Sequence, residues 1–134
     1  MLGLNEADLV RIRQAFEKDS LKEAIQALES GVRLLGRTPY GLGWLGFGYA
    51  RAGQIDEAKK LLTELQDLAQ KEYVIPSSFS LIYLGLGEID QAIDWQEKAV
   101  DEFDLAIFHY LGTAAFDSLR SHPRYETLLR KMNL

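Results

Sequence analysis

Apolar residues recur along this chain at steps of three and four, the period of an α-helix that buries one face. Leu9, Ile12 and Phe16 follow that spacing, and so do Leu21, Ala24, Ile25 and Leu28. Ile55, Ala58, Leu61, Leu62, Leu65 and Leu68 form the longest stripe. The boundaries carry helix signals. Asn5 is the expected N-cap of a first helix, with Leu4 stapled against Leu9, and Ser20 is the expected cap of a second. Pro39 opens a helix running to about Ala52. Gly53 ends it, because glycine accepts the left-handed conformation a helix C-terminus needs. Asp56 and Glu57 then fall in the first turn of the next helix and Lys59 and Lys60 further along, as the helix dipole favours. Pro76 lies near the start of another helix that Gly87 stops. Its partner runs from Ile89 to about Glu102.

These helix pairs repeat. The stretch "YARAGQIDEAKKLL" from Tyr49 returns as "YLGLGEIDQAIDWQ" from Tyr83. Tyr49 matches Tyr83, Gly53 matches Gly87, Ile55 matches Ile89, Asp56 matches Asp90 and Ala58 matches Ala92, each pair 34 residues apart. One interval earlier stand Leu21, Ala24 and Leu28, in "SLKEAIQAL". Antiparallel helices approach closely only where side chains are small, so Ala24, Ala58 and Ala92 are the expected crossing points. The tyrosines before each glycine are expected to fill the gap between neighbouring units. After about Phe103 the period fails. "LAIFHYLGTAAF" reads as a further helix. In "SHPRYETLLRKM", Ser121 caps, Pro123 sits in the first turn, and Tyr125, Leu128, Leu129 and Met132 make one apolar face. A terminal helix of that kind closes the open end of a helical stack.

The pattern resembles the tetratricopeptide repeat, a 34-residue helix–turn–helix unit. Leu45, Gly46, Tyr49, Gly53, Ala58 and Leu62 carry the resemblance in the second unit, Tyr83, Gly87 and Ala92 in the third, and Ala24 and Leu28 in the first. The resemblance implies an all-α helical repeat array, a right-handed superhelix or α-solenoid. Its units would span residues 5–36, 37–70 and 71–104, with a C-terminal capping segment and helix in 105–134. The region from Tyr49 onward, with the tail "FDSLRSHPRYETLLRKMNL", also looks like the C-terminal repeat region of bacterial multidomain regulators. Related arrays carry an Asp-Pro-Arg-like turn before that Phe-Asp. Here Thr113, Ala114 and Ala115 stand instead.

Composition narrows the function. The chain has 134 residues, 47% of them hydrophobic, enough for one domain with its own core. It has no cysteine, which excludes disulfides, thiolate ligands and a cysteine nucleophile. A net charge of −5 argues against general nucleic-acid binding. The start, "MLGLNEADLV", carries acids and no basic segment, so a secretory signal is not expected. No apolar run reaches the length of a membrane span. A cytoplasmic location is the expectation.

Candidate chemistry is sparse. "GLGWLG", Gly41 to Gly46, has the spacing of a dinucleotide-binding turn, but that turn needs a strand immediately before it. Here a proline precedes it and an amphipathic helix follows. Close helix packing is the better account of Gly41, Gly43, Gly46 and Gly48. His109 and His122 are the only histidines and lack metal-ligand spacing. No catalytic residue, cofactor site or metal site is expected, and the chain reads as non-enzymatic. The expected activity is binding of a protein or peptide partner. Tyr40, Trp44, Phe47 and Arg51 follow at steps of four, three and four on one face of the second unit's first helix. With Arg13, Ser77 and Leu81 from neighbouring units they form the expected concave groove, suited to apolar anchors and a carboxylate. The alternative for Trp44 and Phe47 is that they fill the seam between adjacent units, since aromatics at helical spacing are more often core. The alternative activity is self-association, as a homodimer or as the regulatory arm of a larger bacterial regulator.

Overall fold

A computed structural model describes Ala7, residues 21–104, Ala106 and residues 117–132. Among these residues there are helices and no strand, so the described chain is all-α. The helices are α1 (Leu21–Leu35), α2 (Pro39–Arg51), α3 (Ile55–Ala69), α4 (Pro76–Gly85), α5 (Ile89–Asp101), α6 (Asp117–Arg120) and α7 (Pro123–Lys131). The expected helix with Asn5, Leu9, Ile12, Arg13 and Phe16 lies outside the described residues. So do Ser20, His109 and nearly all of "LAIFHYLGTAAF".

Local chemistry explains the boundaries. Thr38 is extended and its Oγ1 accepts a hydrogen bond from Gly41 N at 3.3 Å, while Pro39 fills the first helical position, where an N–H is not needed. Gly53 and Gly87 end α2 and α4 with φ of 83° and 78°. Gln54 N donates to Tyr49 O at 2.8 Å, and Glu88 N donates to Tyr83 O at 2.9 Å. Gly53 N and Gly87 N each reach the carbonyl three residues back, at 3.1 Å. The two turns are thus the same hydrogen-bonded cap, one repeat apart. An added Cβ at either glycine would meet nothing within 4 Å, so the backbone angle alone requires glycine there.

The 34-residue interval recurs among the helix starts. α3, α5 and α7 begin at Ile55, Ile89 and Pro123, at equal intervals of 34 residues. α7 thus starts one interval after α5, with a different face turned inward. Leu128 is buried in α7 and Tyr125 and Met132 are half-buried, whereas the matching positions of α5 are the exposed Gln91, Asp94 and Lys98. The cap of α7 is corrected. His122, not Ser121, is the N-cap, and its Nδ1 accepts from Arg124 N at 3.1 Å. Pro123 at the first helical position places its neighbour His122 at the cap.

Packing centres on α2 and α4. α2 contacts α1, α3 and α4, and α4 contacts α2 and α5 and touches α3. Their core includes Leu28, Leu42, Trp44, Phe47, Leu65, Phe79, Leu81, Ile82 and Ile93, all fully buried. Ala24, Ala58 and Ala92 are buried as expected of crossing points. A Cβ on Gly46 would come within 2.6 Å of Ile82 Cγ1, and one on Gly85 within 2.9 Å of the Phe47 backbone. The "GLGWLG" stretch therefore lies inside α2, with α1 before it, and its glycines let α4 approach.

Candidate functional site

The expected groove is only partly assembled as a surface. Tyr40, Trp44, Phe47 and Arg51 do share one face of α2. Tyr40 and Trp44 meet edge to face at 6.4 Å, Trp44 and Phe47 at 5.8 Å, and the Arg51 guanidinium lies 5.6 Å from the Phe47 ring centre. Yet Trp44 is 1% exposed and Phe47 0%, and Tyr40, Ser77 and Leu81 are buried too. The exposed aromatic groove is thus corrected: these rings belong to the core. α2 is flanked by α1, α3 and α4, and its residues from Tyr40 to Ala50 are buried with the exception of Tyr49. Arg51 is exposed, and Arg13 lies outside the described residues.

Polar ties join the units. Tyr49 OH donates to Glu29 Oε2 at 2.7 Å, linking α2 to α1. This is the inter-unit role expected of that tyrosine. Burial, and then the adjacent Glu29 carboxylate, push its phenol up to about 12. Arg37 grips Glu64 with Nε and Nη2, each at 2.7 Å. That forked bond holds the Glu64 carboxyl below its ordinary range and Arg37 above its own. Asp104, almost wholly buried, accepts from Ser77 N at 2.8 Å and Ala106 N at 3.1 Å. It ties the start of α4 to the chain after α5.

Three features escaped the sequence reading. Gln96 is fully buried, and neither atom of its amide has a hydrogen-bond partner among the described residues. It occupies the repeat position of Leu28 and Leu62, so the 34-residue alignment carried the signal. Phe103 is 85% exposed with φ 57°, on a backbone that favours glycine. Beside it, the exposed Tyr73 donates to Glu102 Oε1 at 2.7 Å. The third feature is an acidic edge on α5, Asp90, Asp94, Glu97 and Asp101, that engages α7. No group of His, Asp and Glu among the described residues is arranged to hold a metal ion. No described helix is long and apolar enough to cross a membrane.

No family model, curated protein or solved structure matches the chain.

Proposed function

We propose that this chain is a tetratricopeptide-like array of helix pairs serving as a non-enzymatic protein-interaction module. One observation carries the reading: three helices begin at equal 34-residue intervals, and the turns before two of them share the same capping bonds. That interval and that cap are what a stacked helix–turn–helix repeat requires. Such an array offers a long surface of similar units, and partner choice rests on a few exposed side chains.

Among the described groove residues Arg51 is the exposed one, with its guanidinium against the Phe47 ring. A partner segment bearing a carboxylate is the expected complement of that positive charge. Affinity capture with the wild-type chain and an Arg51→Glu variant tests this. A protein retained by the wild type and lost by a correctly folded variant supports the reading. Equal capture by both would remove Arg51 from the site.

Self-association is the second reading, favoured by the exposed Leu34, Leu35, Tyr73 and Phe103. An exposed apolar side chain that meets its like on a second copy gains burial from water. Light scattering across a concentration series decides it. A strict monomer at the highest concentration would rule it out.

A further inference from the structure

Asp90, Asp94, Glu97 and Asp101 stand at steps of four, three and four along α5, which puts them on one edge of the helix. Every one of them meets a group from α7 or its cap. His122 Nε2 lies 2.6 Å from Asp90 Oδ1. Since His122 Nδ1 accepts from Arg124 N, Nε2 carries the proton and donates to Asp90. Arg124 Nη2 lies 2.7 Å from Asp94 Oδ1 and 2.8 Å from Glu97 Oε1. Lys131 Nζ lies 2.6 Å from Asp101 Oδ1. The contacts therefore run the full length of α5.

This charge pattern is particular to the last unit. The same edge of α3, one repeat earlier, reads Asp56, Lys60, Thr63 and Asp67, which is mixed rather than acidic. The helix that follows α3 by one repeat is α5 itself. At the places of His122, Arg124 and Lys131 it carries Glu88, Asp90 and Glu97. The acidic edge thus complements α7 and would repel an α5-like helix.

The acidic partners of three contacts are open to solvent. The side chains of Asp90, Asp94 and Asp101 are 82%, 61% and 57% exposed, while Arg124 and Glu97 are partly covered at 36% and 32%. Attraction between exposed charges falls off as salt shortens the screening length. The apolar hold of α7 rests on one fully buried side chain, Leu128, and on the half-buried Tyr125, Leu129 and Met132. The α2–α4 seam is the opposite case, held by buried rings, aliphatic side chains and glycine contacts that salt does not weaken.

We propose that the acidic edge of α5 and the cationic α7 form a salt-sensitive latch, releasing the C-terminal helix at raised ionic strength while α2 and α4 stay packed. A nine-residue helix is too short to persist alone in water, so release and unwinding of α7 are one event.

Hydrogen exchange on the full chain, resolved by peptide and run at constant pH, reads that event. Between about 20 mM and about 500 mM sodium chloride, α7 amides are expected to exchange about tenfold faster, while α2 and α4 amides hold their rates. Exchange of α7 that ignores salt, or a rise shared equally by all helices, would overturn the proposal. Arg124→Gln removes the charge that serves two acids. In that variant α7 should exchange fast already at low salt and respond to salt far less. A variant with the full wild-type salt response would count against the latch. The exchanged pair Asp101→Lys with Lys131→Asp should restore slow exchange relative to either single change. Failure to restore it would mean that Lys131 holds α7 by something other than charge.

Discussion

The backbone of Ser78 lies directly against Gly43: a Cβ at Gly43 would stand 2.8 Å from Ser78 O and 2.9 Å from its Cα. Neither atom belongs to a side chain that could turn away. Alanine favours a helix over glycine by roughly 1 kcal/mol, so an unpacked helix would gain from Gly43→Ala. Here overpacking wins, and the variant should lose about 1–3 kcal/mol of stability. Urea unfolding checks the sign. A stabilised variant would mean that α2 and α4 can separate at little cost.

Gln96 calls for the opposite outcome. Its amide is buried without a partner among the described residues, at the place where other units hold Leu28 and Leu62. An unsatisfied buried polar group costs about 1–3 kcal/mol. Gln96→Leu should therefore raise the unfolding midpoint, with a gain of about 1–2 kcal/mol. A loss of stability in that variant would show that the amide has a partner, such as an ordered water.

Phe103 ends α5 with a positive φ where Gly36, Gly53 and Gly87 serve at other ends. The aromatic ring is exposed and returns little burial for that backbone conformation. Phe103→Gly should stabilise the chain by about 0.5–1 kcal/mol. Thermal unfolding of the two chains side by side is sufficient to test it.

Asp104 bridges the first turn of α4 and the segment after α5 through two backbone N–H groups. Asp104→Ala would leave both donors without their acceptor. A loss of about 2 kcal/mol is expected, with faster hydrogen exchange at Ser77. Unchanged exchange at Ser77 would contradict the bridging role.

Tyr49 makes stability depend on alkaline pH. Burial and the Glu29 hydrogen bond keep the native phenol protonated to about 12, while in the unfolded chain it ionises near about 10. The folded pKa is the higher one, so the contribution is whole below the unfolded value and is lost as pH rises from there through the folded value. Tyr49→Phe should cost about 1–2 kcal/mol at neutral pH and flatten the alkaline decline. Denaturant midpoints across that range compare the two chains. Parallel declines would place the alkaline loss elsewhere.

Much of this architecture was legible in the order of residues. Period, caps and stops are local properties: Pro39, Gly53, Pro76 and Gly87 act on their own backbone, and each stands at or next to the end of a helix. The burial of Ala24, Ala58 and Ala92 and the close packing at Gly43 and Gly46 were legible too, because small residues on the inward face of a helix favour close approach. The surface was not legible in the same way. A row such as Tyr40, Trp44 and Phe47 is equally a groove or a core. Which it becomes depends on how many neighbours close over it. Burial of Tyr40, Trp44 and Phe47 is a property of the packed chain and not of their spacing. The equal interval from α5 to α7 was hidden for a related reason. A helix can keep its interval while turning a different face inward, and periodicity reads the face. The sequence by itself determined where helices start and stop, because those signals lie within a turn of the residues they control. Only the tertiary structure decided which faces meet, since burial depends on chain segments far apart in sequence.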